Sequence, residues 1–178
     1  VQNFTTNTDT YNTAVGYNSG LSVTTGVQNT LIGGLAGDAL TTGNYNVALG
    51  YAALGAEDTR GRATAIGYAA LQSQNADADS YNVAVGFEAG GAVTTGTENV
   101  FIGGLSGDAT TTGNVNTALG ASSLTANTTG VANTAVGRQA LKSNTTANFN
   151  TALGAESLHS NTTGTSNTAV GYNAGNSV

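Results

Sequence analysis

A glycine preceded by an aliphatic residue returns along this chain at positions 16, 33, 50, 67, 86, 103, 120, 137, 154 and 171. Every step is 17 residues except that from Gly67 to Gly86, which is 19. So short a period constrains the fold strongly, because each unit must bury its apolar residues against its neighbours in the array. Seventeen residues are too few for a helix–turn–helix unit, and glycines among β-branched residues disfavour helix. The period therefore predicts an all-β parallel solenoid: one domain over residues 1–178, built of about ten stacked coils. At about 4.8 Å per coil the rod is roughly 50 Å long.

The consensus coil reads N-T-A-[VIL]-G-x-x-[AS]-x-x-[AS]-x-T-T-G-x-x, its positions numbered here from first (Asn) to seventeenth. Asn fills the first position at Asn12, Asn29, Asn46, Asn82, Asn99, Asn116, Asn133, Asn150 and Asn167, and Ala63 is the exception. Stacked coils put such a column in register, so its amides are expected to form a hydrogen-bonded ladder along the axis. Strand alternation places the second and fourth positions on one face and the third on the other. The fourth is always aliphatic (Val15, Ile32, Leu49, Ile66 and their copies), so it is expected inside. The third position (Ala14, Leu31, Ala48, Ala118, Ala135 and others, with Phe101) is then expected outside, an apolar column for a neighbouring subunit to cover.

The ninth and twelfth positions compensate each other. Leu at the ninth (Leu54, Leu71, Leu124, Leu141, Leu158) goes with a polar twelfth (Glu57, Gln74, Asn127, Asn144, Asn161). Gly at the ninth (Gly20, Gly37, Gly90, Gly107, Gly175) goes with Val23, Leu40, Val93, Thr110 or Val178. One interior slot filled from either of two sites explains this, since double filling overpacks and double vacancy leaves a cavity. On this reading Glu57 is a surface residue.

A longer period of 70 lies above the short one. Residues 11–46 resemble residues 81–116, which indicates internal duplication, and the two-residue excess near 77–79 just before the second copy reads as a bulge. Val1–Tyr11 likewise resembles Leu71–Tyr81, which pairs Asp9 with Asp79.

Composition narrows the function classes. Charged residues are 8% of the chain, against about a quarter in ordinary domains. Disorder is disfavoured, because net charge is only −6 and apolar residues recur at regular spacing. Zero Cys excludes disulfides and thiolate chemistry. No apolar run approaches the roughly 18 residues of a membrane span. The four cations Arg60, Arg62, Arg138 and Lys142 form no basic stripe for nucleic acid. The start at Val1 suggests a processed product or a fragment.

At Asn12–Gly16 and its copies the repeat resembles the head repeat of trimeric autotransporter adhesins of the YadA-like type, and similar repeats of phage and bacterial fibre proteins. Thr13-Ala14-Val15-Gly16 aligns with the V-A-I-G of that family's motif. The resemblance covers nearly the whole chain. It implies a left-handed β-roll, side-by-side packing of three chains, and binding to host surface proteins. The coil here is longer, with Thr where that family favours Val.

Catalytic signals are weak. His159 is the sole His and sits at the variable tenth position, so no triad can be argued from it. No catalytic, cofactor-binding or metal-ligating residue is assigned, and no cofactor is expected. Gly33–Asp38 and its copy Gly103–Asp108 have GGxxGD spacing and read as turns carrying a solvated Asp, with calcium the lesser alternative. Asp77 and Asp79 are a lesser oxygen-ligand candidate. The sequons at Asn127, Asn144 and Asn161 follow automatically from the repeat. The expected function is a non-enzymatic structural or adhesive fibre segment, extracellular or on a cell or virion surface. The alternative is a subunit of a self-assembling extracellular filament, since the ends at Val1 and Val178 show no polar cap. Ice binding is a third reading, disfavoured because Thr-Thr offers one outward column. Expected partners are further copies (a trimer or a head-to-tail filament) and a host surface protein or glycan. Binding is expected where the repeat breaks, at 60–63 and 77–79, and at Tyr17, Tyr51, Tyr68 and Phe87 of the sixth position.

Overall fold

The computed structural model describes residues 10–176. Ten three-residue strands, one per coil, form a single parallel sheet in sequential order. They are β1 (Thr13–Val15), β2 (Thr30–Ile32), β3 (Val47–Leu49), β4 (Thr64–Ile66), β5 (Val83–Val85), β6 (Val100–Ile102), β7 (Thr117–Leu119), β8 (Thr134–Val136), β9 (Thr151–Leu153) and β10 (Thr168–Val170). Turns complete each coil, and no helix occurs among the described residues. The protein is thus a parallel β-solenoid with the 17-residue spacing legible in the sequence. Val1, Asp9 and Val178 lie outside the described residues.

Register survives the 19-residue step, with Ala65 paired to Ala84. The Asn75 amide donates to the Thr94 carbonyl and the Ser80 amide to the Gly61 carbonyl, so the extra residues are confined to 76–79.

The two faces of the strand are the reverse of expectation. The third position is buried: Leu31, Ala48, Ala65, Ala84, Phe101, Ala118, Ala135 and Ala152 form the core with the ninth-position leucines. The fourth position faces outward, with Val15, Leu49, Leu119, Leu153 and Val170 exposed by 41–65% and the others half-buried. An assembly packed through the alanine column is therefore ruled out. Volume explains the inversion. A coil this small encloses a narrow interior, which the ninth-position Leu of most Ala-bearing rungs nearly fills. The two large third-position residues occur where the ninth position is Gly. Leu31 reaches over Gly20 and Gly37, and a Cβ on Gly20 would lie 2.8 Å from Leu31 Cδ1. Phe101 reaches over Gly90 and Gly107, and a Cβ on Gly107 would lie 2.4 Å from its ring carbon Cε1. The compensation is real, but it joins three positions rather than two.

The Asn ladder is formed. The Asn29, Asn46, Asn99, Asn116, Asn133, Asn150 and Asn167 backbone amides each donate to the Oδ1 of the preceding Asn, at 2.8–3.0 Å. Each side-chain amide from Asn12 to Asn150 donates to the fifteenth-position carbonyl of its own coil, as Asn133 does to Ala147 at 2.8 Å. One neutral side chain thus satisfies backbone groups in two coils, which answers the demand that buried polar groups be paired. The twelfth position corrects a second expectation: Glu57, Gln74, Asn127, Asn144 and Asn161 are buried rather than on the surface. Asn144 donates to Asn127 Oδ1 at 3.0 Å and Asn161 to Asn144 Oδ1 at 3.2 Å, a second axial ladder.

The recurring glycine has a steric cause. At Gly86 φ is +142°, and a Cβ there would sit 2.6 Å from the backbone of Gly103 on the next rung. Only glycine lets adjacent coils approach so closely.

Candidate functional site

Three surface features stand out against the repeat. The first is the outer strand face. Its second-position column is Thr or Val and its fourth is Val, Ile or Leu, without a charged residue in either. Over nine steps of about 4.8 Å it forms an uncharged strip about 43 Å long, an aliphatic column beside one that is mostly Thr. The expectation of a single outward Thr column applied to the thirteenth and fourteenth positions. There Thr24, Thr94, Thr111 and Thr128 spend their hydroxyls on the next coil's carbonyls, and the fourteenth-position threonines are exposed.

The second feature is a pair of stacked columns flanking this strip. At the sixth position the rings of Tyr51 and Tyr68 stack at 5.6 Å, and those of Tyr68 and Phe87 at 5.2 Å. Tyr17, on an earlier rung, is 77% exposed. At the seventeenth position the Arg62 guanidinium lies 5.1 Å from the Tyr45 ring centroid and 5.7 Å from that of Tyr81. Arg62 also pairs with Asp79 at 2.6 Å, a contact that holds its guanidinium charged above its ordinary range. Two of the expected binding points, 60–63 and 77–79, are thereby brought together by an ion pair. Asp77 stays exposed. Arg138 pairs with Glu156.

The third feature is a groove along the turn side of the same middle coils. The tenth-position column runs Asp38, Gly55, Gln72, Gly91, Asp108, so a missing side chain on either side of Gln72 leaves a depression. One, of about 570 Å³, is lined by Leu35, Asp38, Ala52, Gly55, Ala56, Gln72 and Ser73. The other, of about 220 Å³, shares Gln72 and Ser73 and adds Glu88, Gly91 and Asp108. Asp108 Oδ1 is shielded from water without a hydrogen-bond partner. Burial pushes its carboxyl above the ordinary range, and the Glu88 charge adds to the shift. The solvated Asp expected here is therefore half-buried. No cluster of three or more metal-ligating side chains occurs among the described residues.

Inside the rod, the junction between the duplicated halves carries a polar network that sequence reasoning missed. Ala63 interrupts the Asn column, and the twelfth position fills the gap. Asn82 donates to Gln74 Oε1 at 2.8 Å, and Gln74 donates to Glu57 Oε2 and to Ser80 Oγ, each at 3.1 Å. The Arg60 and Ala76 amides also donate to Glu57. Burial raises the Glu57 carboxyl above 4.5, and these donors offset only part of the rise. The coincidence of Ala63 with Glu57 and Gln74 was the available signal.

His159 is half-buried at the tenth position, outside both depressions. The sequon residues Asn127, Asn144 and Asn161 are ladder members with buried side chains. No helix among the described residues is long and apolar enough to cross a membrane. No family model, curated protein or solved structure matches this chain.

Proposed function

We propose that this chain is a structural and adhesive fibre segment, a non-catalytic rod displayed outside the cell or on a cell or virion surface. The observation that carries the reading is the outer strand face: ten rungs in register presenting two uncharged columns along the whole rod. An outward aliphatic column of this length, here the fourth position, is uncommon on free-standing soluble proteins and marks a contact surface. The strip suits side-by-side packing of copies of this chain, in line with the trimeric arrangement that the adhesin resemblance implies. Ridges repeated from coil to coil, with shallow depressions only in the middle coils, suit display and contact better than turnover, which calls for a convergent, water-excluding site.

Light scattering on the purified chain at micromolar concentration tests the packing. A trimer is expected, and Leu119→Asp, at an exposed rung, should dissociate it without unfolding the rod. A wild-type monomer would overturn the reading, and end-to-end filaments in electron micrographs would replace it with the filament alternative.

A further inference from the structure

The geometry points to a binding site for a neutral sugar residue on the fifth and sixth coils, formed by the free face of Phe87 and the adjoining depression at Gly91. The inference rests on the adhesive reading and names the chemistry of its ligand.

The aromatic ladder stops one rung short of its available space. Phe87 stacks on Tyr68 on one side. On its other side the next rung is Gly104, where an added Cβ would meet nothing nearer than the Phe87 carbonyl oxygen at 4.0 Å. A ring face is thus left without its next rung, on a side chain still 52% exposed. The C–H face of a pyranose is a flat apolar surface suited to such a ring, as aromatic side chains combine apolar area with defined stacking geometry.

The next residue in the chain, Glu88, belongs to the depression that holds Gln72, Ser73 and Asp108. Its volume, about 220 Å³, is on the scale of a sugar residue rather than of a folded partner. Its chemistry is rich in acceptors: two carboxylates, an amide and a hydroxyl. A ligand rich in hydroxyl donors complements that set of acceptors. Because the lining contains no Lys or Arg, phosphorylated, sulfated and acidic sugars are disfavoured. An aromatic platform beside an acceptor-rich depression selects a neutral pyranose.

Titration with neutral β-linked glucose and N-acetylglucosamine oligosaccharides, followed by saturation-transfer NMR and calorimetry, tests this. Binding of at least one series is expected, with saturation transfer from the Phe87 ring. Phe87→Ala should weaken it about tenfold, the scale of one lost stacking contact. Gly104→Tyr should abolish it by completing the ladder, as Tyr68 does on its own rung. Tyr172→Ala, at the far end of the column, should leave affinity unchanged. Failure of every oligosaccharide to bind, or binding insensitive to both Phe87→Ala and Gly104→Tyr, overturns the proposal. So does capture of an arginine-rich peptide in place of sugar, lost at high salt. Light scattering on the same samples separates the two claims: a trimer that binds no sugar refutes the ligand alone, and a monomer refutes the assembly.

Discussion

The later coils and the junction near their middle solve one problem in two ways. From Asn99 to Asn150 the axial ladder is built from a single residue type, each Asn accepting from the next coil and donating within its own. Between Glu57 and Asn82 the gap left by Ala63 is occupied by a carboxylate and an amide from the twelfth position, which bond the Arg60 and Ala76 backbone amides and the Asn82 side chain beside the 76–79 insertion. The amide is neutral and both donates and accepts, so its burial is fully compensated. The carboxylate only accepts and carries charge, so its burial is partly uncompensated and its pKa rises. A repeat can therefore absorb an irregular junction without losing register, at the cost of a pH-sensitive stability.

The largest expected effect tests the shared core slot. Phe101→Ala should destabilise by about 3–5 kcal/mol in urea unfolding, as truncation of a buried aromatic does. Gly107→Leu alone should also destabilise, because its side chain enters the Phe101 ring. The double variant should recover much of either loss, since it reproduces the Ala118/Leu124 arrangement of the next coil. Simple additivity in that cycle would show that the slot is not shared.

Next in size is the ladder. Asn133→Ala should cost about 1–3 kcal/mol, because it leaves the Asn150 amide and the Ala147 carbonyl unpaired. An effect below half of that would mean that water replaces the amide.

The junction is distinguished by pH. With its folded pKa raised above the unfolded value, Glu57 contributes stability at pH below about 4.5 that is lost as pH rises through the folded value. Asp108 adds a slope of the same sign. Glu57→Gln should therefore flatten the decline of stability as pH rises above about 4.5 while leaving the Asp108 part. Identical pH slopes for the two proteins would place the Glu57 carboxyl in water.

The smallest effect is expected at an exposed fourteenth-position residue of the regular half. Thr146→Ala should change stability by no more than about 0.5 kcal/mol. A larger loss in a thermal melt would give that hydroxyl column a structural part it does not have here.

The sequence by itself determined the solenoid, its 17-residue rungs, the Asn ladder, the location of the insertion and the existence of a compensated interior slot. All of these follow from period and column identity, because a stacked repeat turns spacing in sequence directly into neighbours in space. Which strand face points inward was decided only by the tertiary structure. Alternation separates Ala from Val, Ile and Leu without saying which column the coil encloses, and the answer depended on how little volume a 17-residue turn leaves beside a ninth-position Leu. Leu31 and Phe101, each flanked by ninth-position glycines, were the sequence signal for it. The buried place of Glu57 was hidden for the same reason: a carboxylate reads as surface until the closed coil shows Gln74 and two backbone amides converging on it. The groove between Asp38 and Asp108 and the free face of Phe87 likewise emerge only once the rungs are stacked, because each is made by side chains missing from neighbouring coils.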